Sequence, residues 1–217
     1  MGVGKPGSRL KSRQTHHRNM NLLLTDHLTC PKCLGGGLIL LADRVEARRV
    51  YAGQLGCPSC QARYPVVDGV AEFEVVGAAD HHPTPEGAQL AALLGVAEGP
   101  AMLLLVGPYE GVAAEIAALL DDVEIVVATQ SAVVMNDVAR VSVLRIGKRI
   151  PLRDGSMRGV VITGADADMI AEAVRVVRLA ARVVLIHATA EAEAALRAQN
   201  VQVVAQQDDT LVSVRHS

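Results

Sequence analysis

All four cysteines of the chain fall in two Cys-x-x-Cys pairs, Cys30-Pro31-Lys32-Cys33 and Cys57-Pro58-Ser59-Cys60, separated by residues 34–56. Each such turn carries two thiolates on one tight bend, and two turns facing each other supply four sulfurs at the corners of a tetrahedron, the ligand set of a structural zinc ion. A proline follows the first cysteine of each pair, and Gly35, Gly36 and Gly37 follow the first pair, where the backbone must bend with its amides toward sulfur. Two disulfides are the alternative. No secretory leader and no apolar stretch long enough to enter a membrane is legible, which favours thiolates and a cytoplasmic setting. Four sulfur ligands leave no coordination position for water or substrate, so the expected zinc holds structure and performs no reaction. No cysteine remains for covalent thiolate chemistry.

Other titratable groups at candidate positions are few. Asp166 or Asp168 could serve as a general base, and His187 as a proton shuttle. Asp166 just before an apolar helical stretch also reads as an ordinary N-cap, and His187 as a half-exposed strand end. His81 and His82, beside Pro83, are metal-capable by type but sit in a stretch with linker composition.

Half of the 217 residues are apolar, enough for a medium domain plus a small one. The aromatics are Phe73, Tyr51, Tyr64 and Tyr109, with no Trp, which argues against bases stacked on aromatic platforms. Lys5, Arg9, Lys11, Arg13 and Arg18 lie in an N-terminal stretch without acids, and the rest of the chain holds 16 basic against 23 acidic residues. A mildly acidic body argues against a broad nucleic-acid face. RNA contact is expected, if anywhere, through the basic tail, whose composition equally fits solvated disorder.

The chain is read as a basic tail (1–19), a zinc-ribbon unit (20–76), a linker (77–86) and an α/β unit (87–217). In the ribbon, residues 61–73 read as strand, Asp68-Gly69 turn, strand. The spacing farther on predicts helices at 86–95, 111–120, 131–140, 167–179 and 191–199. Strands are expected at 101–106, 123–128, 141–146, 159–163 and 182–186, and a closing hairpin of 201–205 with 211–214. Continuous apolar strands between amphipathic helices imply a Rossmann-like, doubly wound, mostly parallel α/β sheet with a C-terminal antiparallel hairpin, preceded by the small β-rich ribbon.

Leu28-Thr29-Cys30-Pro31, the second Cys-x-x-Cys and Tyr64-Pro65-Val66-Val67-Asp68-Gly69-Val70 together resemble the small zinc-ribbon family that includes the activator subunit of tRNA, rRNA and release-factor methyltransferases. The resemblance covers about 28–76 and implies a partner protein, not a catalyst. Members join their methyltransferase partly through strand addition; with both parts on one chain, docking in cis is expected.

Residues 86–215 resemble the class I methyltransferases that bind S-adenosylmethionine, through the order of elements and two segments, Ile150-Pro151-Leu152-Arg153-Asp154-Gly155-Ser156-Met157 and Ala173-Val174-Arg175-Val176-Val177-Arg178-Leu179. The resemblance implies a cofactor site over the loop after the first strand, where Gly107 and Gly111 remain, with Gln130 and Asp166 completing its outline. The family's acid falls at Leu105, its middle glycine at Tyr109, its ribose carboxylate at Thr129 or Gln130, and its adenine-binding acid at Ile146. A hydrogen bond to a charged group is worth about 1.5–3 kcal/mol, so loss of the ribose carboxylate alone removes roughly one to two decades of affinity. The leading expectation is therefore a zinc-binding protein whose degenerate, non-catalytic methyltransferase-like unit makes contacts with a protein partner. An active methyltransferase with a divergent cofactor loop, acting on RNA or a translation protein, is the alternative.

Overall fold

The computed structural model describes residues 19–74, 84–131 and 138–216. Most of the basic tail, His81 and His82 with most of the linker, and residues 132–137 of the helix expected at 131–140 lie outside them. The N-terminal part comprises β1 (Met20–Asn21), a 3-10 turn (Leu22–His27), β2 (Ile39–Glu46), β3 (Arg49–Gly56), β4 (Arg63–Val67) and β5 (Val70–Glu72). The α/β part begins with α1 (Gly87–Leu94), β6 (Glu98–Val106), α2 (Glu110–Leu119), β7 (Asp121–Thr129) and β8 (Val141–Arg145). It continues with β9 (Met157–Thr163), α3 (Ala167–Val176), β10 (Val177–Ile186), α4 (Ala190–Arg197), β11 (Val201–Gln207) and β12 (Thr210–Arg215).

Strands β8, β7, β6, β9 and β10 run parallel in that spatial order, so the chain order reverses between β6 and β9. β12 returns antiparallel on β10, with β11 outside it. This is the expected Rossmann-like, doubly wound α/β sheet. The carboxyl halves of its strands, such as 103–106, 125–128, 160–162 and 183–186, are apolar because both faces are covered. Leu103 and Leu105 point into a core with α1 and α2, while Leu104 and Val106 point into a second core with α3, α4 and the N-terminal part. Leu103, Leu104 and Leu105 expose no surface, and each such burial stabilises by roughly 1.5–3 kcal/mol.

The sheet does not stop at the α/β part. β5 lies parallel to β8, pairing Val70 with Val143, Ala71 with Leu144 and Glu72 with Arg145. Arg145 Nη1 donates to Glu72 Oε1 at 2.6 Å, and the Arg49 guanidinium forks onto both Glu124 oxygens at 2.7 and 3.0 Å, tying β3 to β7. The expected docking in cis is thus a strand addition within one chain.

A second relation explains why the N-terminal part is needed. The connection from β8 to β9 contains no helix, although parallel strands are usually bridged by one. The 3-10 turn and its following residues cover the sheet there. Leu28 bridges antiparallel to Leu152, Thr29 N–H donates to Pro151 O at 3.0 Å and Arg153 N–H to His27 O at 2.8 Å. From the other side Arg175 donates to the carbonyls of Leu152 (2.7 Å) and Ile150 (2.9 Å), and Glu172 accepts from Ile150 N–H at 3.0 Å. Leu24, Leu28, Ile150 and Leu152 are buried in one cluster.

Two elements differ from the sequence expectation. The helix expected to run to Leu179 ends at Val176, and β10 starts at Val177 instead of Arg182. The β-branched pair Val176-Val177 favours extension, Val177 pairs with Met157, and a bulge with Ala180 at φ 60° restores the register at Arg182. Arg215 donates to the carbonyls of Arg175 and Val177, groups left open where the helix stops. The second difference is the β2–β3 hairpin between the cysteine pairs. Its turn, Ala47-Arg48, has φ 47° and 63° without the Asn or Gly that normally marks such a turn. The β4–β5 turn at Asp68-Gly69 (φ 47° and 73°) carries that mark and falls where expected.

Candidate functional site

The two cysteine pairs meet. All four Sγ atoms lie within 4.8 Å of one another, with Cys30 to Cys60 at 3.6 Å and Cys33 to Cys57 at 3.5 Å. Zinc–sulfur bonds of about 2.3 Å in a tetrahedron put sulfurs about 3.8 Å apart, so the cluster fits such an ion. Backbone order prepares it. Cys30 N–H donates to Gly36 O at 3.2 Å and Leu34 N–H to Cys30 O at 3.0 Å, while the second pair repeats the latter bond as Gln61 N–H to Cys57 O at 2.9 Å. Gly35 N–H points at Cys33 Sγ at 3.3 Å, and Gly36 takes φ 127°, as the bend after the first pair requires.

The electrostatics of the cluster call for a counter-charge. Burial raises the Cys30 thiol, but hydrogen bonds from Tyr64 and from the backbone N–H groups of Cys33 and Lys32 outweigh it and bring it down to about 6. At Cys33 the Gly35 N–H pulls down, yet desolvation and hydrogen bonds with Cys57, Cys60 and Cys30 push the thiol up to about 12. Four sulfurs this close cannot all ionise alone; a divalent cation at their centre removes the conflict. Tyr64, whose Oη is 3.3 Å from Cys30 Sγ, was not singled out as a site residue from sequence. Its signal was present in the Tyr-Pro-x-x-Asp-Gly stretch. Its ring also packs on Phe73, with centroids 4.9 Å apart.

The other candidate residues lie along the carboxyl edge of the parallel strands. Val106 pairs with Ala128 on one side and Ile162 on the other, so Gly107 emerges between Thr129 and Thr163 at the point where strand order reverses. Gly107 has φ 129°, and a Cβ there would stand 2.7 Å from Thr163 Cγ2 and 3.4 Å from Tyr109 Cε2. The space beside this glycine is filled by the protein's own side chains. Tyr109 exposes no surface, and its Oη has no hydrogen-bond partner among the described residues. Burial pushes its hydroxyl well above the ordinary tyrosine range, and the nearby Thr163 hydroxyl donates to Ile186 O at 3.2 Å. Gly111 faces open space.

The remaining positions are committed elsewhere. Gln130 Nε2 donates to Gly147 O at 3.1 Å. Asp166 Oδ1 accepts from Met169 N–H at 2.9 Å, the N-cap of α3, with Asp168 exposed in the first turn. Thr129 Oγ1 accepts from Ser131 N–H at 3.1 Å, and Leu105 and Ile146 are buried in the cores. His187, at φ 54°, pairs with Asp209 of the β11–β12 turn at 2.7 Å, binding the hairpin to the end of β10. Among the described residues, Thr129, Gln130 and Ile146 stand where acids were expected to meet a ribose or an adenine amine, and the Tyr109 ring stands beside Gly107; the carboxylates at this edge include Glu110 at the start of α2 and Glu74 beside Gly147. These residues do not fit S-adenosylmethionine.

No protein-family model matches the chain, and no curated protein does. Among solved structures it is similar to the geranyl diphosphate C-methyltransferase of Streptomyces coelicolor, solved with S-adenosyl-L-homocysteine, at 15% identity over 57% of this chain and 59% of that one, TM-score 0.47. It is similar to a chain of the Haloferax volcanii complex between the Trm112 methyltransferase activator and a methyltransferase, at 15% identity over 60% and 89%, TM-score 0.49. An O-methyltransferase from Agrobacterium tumefaciens gives 18% identity over 60% and 83%, TM-score 0.44. The chain spans 59% of the length of the geranyl diphosphate enzyme. Likenesses of this extent say nothing of substrate, cofactor or partner. Among the described residues, no helix is long and apolar enough to cross a membrane.

Proposed function

We propose that the chain is a zinc-ribbon unit (20–76) joined in cis to a degenerate methyltransferase-like unit (87–217), and that it works without catalysis by presenting surfaces to a protein partner. Cys30, Cys33, Cys57 and Cys60 hold the zinc, which fastens the ribbon against the sheet. The observation that carries the reading is Tyr109, fully buried beside Gly107 at the strand-order reversal. A ring in that place opposes the close backbone approach a nucleoside ligand needs, and Thr129, Gln130 and Ile146 bring no charge where the resemblance places acids. The partner would meet the chain in the cytoplasm.

A working methyltransferase with a divergent loop is the second reading. It is favoured by the φ of 129° kept at Gly107, the open space at Gly111, and the buried, unpartnered Oε1 of Glu110 at the start of α2. A thermal melt separates the two. A ligand at a hundred times its Kd stabilises the native state by about 2.7 kcal/mol, which raises the Tm of a chain this size by roughly 5–11 °C. Millimolar S-adenosylmethionine is expected to leave the Tm unchanged; a rise of that size establishes the second reading.

A further inference from the structure

A cavity of about 550 Å³ lies at the amino ends of the parallel strands, the opposite end of the sheet from Gly107, between the N-terminal part and β6 to β10. Its lining combines apolar Leu23, Pro100 and Met102 with the basic residues Arg153, Arg158 and Arg178. Arg158 and Arg178 directly follow the paired residues Met157 and Val177 on adjacent parallel strands, at the bulge before the register resumes at Gly159 and Arg182. Like charges in neighbouring positions oppose folding. All three side chains belong to exposed residues, where water screens the repulsion in part, and among the described residues none of their guanidiniums has a hydrogen-bond or ion-pair partner.

The acids on the cavity wall do not supply the missing charge. Glu124 is held by Arg49 and Asp154 by Arg175, which leaves Asp122 against three arginines. A fourth, Arg140, spends its guanidinium on the carbonyls of Leu120 and Ala117. Arg153 reaches across the ribbon's glycine turn, where a Cβ on Gly37 would stand 2.9 Å from its Nη2. Asn21, Leu23 and His27 from the N-terminal part line the cavity beside residues of β6, β7, β9 and β10, so both parts of the chain build it.

We propose that this cavity binds the phosphate or diphosphate group of a small molecule, held by Arg153, Arg158 and Arg178, with the molecule's body lying on Leu23, Pro100 and Met102. Guanidinium forks match phosphate oxygens in bidentate geometry and stay charged at every physiological pH. The volume falls in the range of small-molecule pockets. His27 is the one ring in the lining and no Phe, Tyr or Trp joins it, so the cavity lacks the row of stacking platforms that a single-stranded nucleic acid uses. The site is independent of what happens at the Gly107 turn.

Calorimetric titration of the zinc-loaded chain with inorganic pyrophosphate, and separately with orthophosphate, tests this. Saturable binding is expected, weakened by about tenfold or more (about 1.4 kcal/mol) in Arg158→Ala/Arg178→Ala and unchanged in Lys148→Ala/Arg149→Ala. Without ligand the Arg158→Ala/Arg178→Ala chain should melt no lower than the parent, since repulsion is relieved; Arg158→Gln/Arg178→Gln serves if the alanine pair does not fold. Absence of saturable heat with both anions at millimolar concentration overturns the proposal, and so does equal binding by parent and variant. A short single-stranded RNA that binds and is not displaced by pyrophosphate also overturns it, in favour of a nucleic-acid face.

Discussion

Ala71 and Leu144 are parallel-paired neighbours in one sheet, and neither exposes any surface. The first belongs to the hairpin that closes the cysteine cluster, the second to the Rossmann-like sheet. A strand added to an edge supplies affinity through main-chain bonds without a dedicated pocket, and here the same chain supplies both partners. Because the β8–β9 connection has no helix, the N-terminal segment fills the place of a missing layer. The two parts share one core.

Separation of the parts tests this sharing. Residues 84–217 expressed alone are expected to show no cooperative melt, since Leu144, Ile150 and Leu152 lose their cover. Adding 19–74 with zinc in trans should restore one. A cooperative, native-like transition of 84–217 by itself would count against a common core.

Leu28 is the most direct point of contact, bridging to Leu152 with no exposed surface. Leu28→Ala should destabilise the chain by about 2–5 kcal/mol, measured by denaturant unfolding. A loss below about 0.5 kcal/mol, the range of an ordinary surface substitution, would mean the segment is not part of the core.

Metal removal should be felt everywhere. Structural zinc contributes about 10–16 kcal/mol in isolated zinc-finger peptides, comparable to the whole stability of a domain, about 5–15 kcal/mol. One zinc per chain is expected by metal analysis, and a chelator or Cys33→Ser/Cys57→Ser should abolish the single transition. A chain purified under reducing, metal-replete conditions without zinc removes the cluster from the account.

His27 gives a pH signature. Desolvation lowers its pKa from 6.5, with Asp26 opposing and Arg153 and Arg178 adding to the shift. Above pH 6.5 both folded and unfolded forms are neutral and the group contributes nothing. As pH falls below 6.5 the unfolded chain takes up the proton first, so stability drops until the folded pKa is passed. His27→Asn should show a smaller acid-side loss than the parent over that window, in pH-dependent melts at fixed zinc. Parallel curves for the two chains would refute the assignment.

Much of the fold was legible from patterns that depend on local chemistry. Two Cys-x-x-Cys turns, the Asp68-Gly69 hairpin and the apolar runs of β6, β7, β9 and β10 each carry their own signal. The β2–β3 hairpin did not, because Ala47 and Arg48 adopt left-handed φ without a residue that announces it. The end of α3 was misplaced because the apolar period of 167–179 continues through Val177 and Leu179, whereas pairing with Met157 pulls Val177 into the sheet. At the site, the cap formed by Asp166 was legible in the sequence, whereas Gln130 has the residue type a ligand needs and only tertiary geometry reveals that the Gly147 carbonyl already holds it. The arginine cavity had no signal at all, since Arg178 is distant in sequence from Arg153 and Arg158 and only the fold brings them to one cavity.

Tyr109→Phe probes the filled crevice without emptying it. The hydroxyl is buried and unpartnered, and a buried polar group left unmade costs about 1–3 kcal/mol. The variant should therefore be as stable as the parent or more so by about 1 kcal/mol. A loss of that size would mean the hydroxyl has a partner that matters.

The reading of the Gly107 turn as closed stands or falls on equilibrium binding of S-adenosylmethionine to the zinc-loaded full chain by calorimetry, beside Tyr109→Gly/Leu105→Asp as the reopened form. The expected result is no saturable binding to the parent, with any affinity weaker than about 1 mM, or −4.1 kcal/mol. Saturable binding to the parent near 1 µM, about −8.2 kcal/mol, would contradict the non-catalytic account outright.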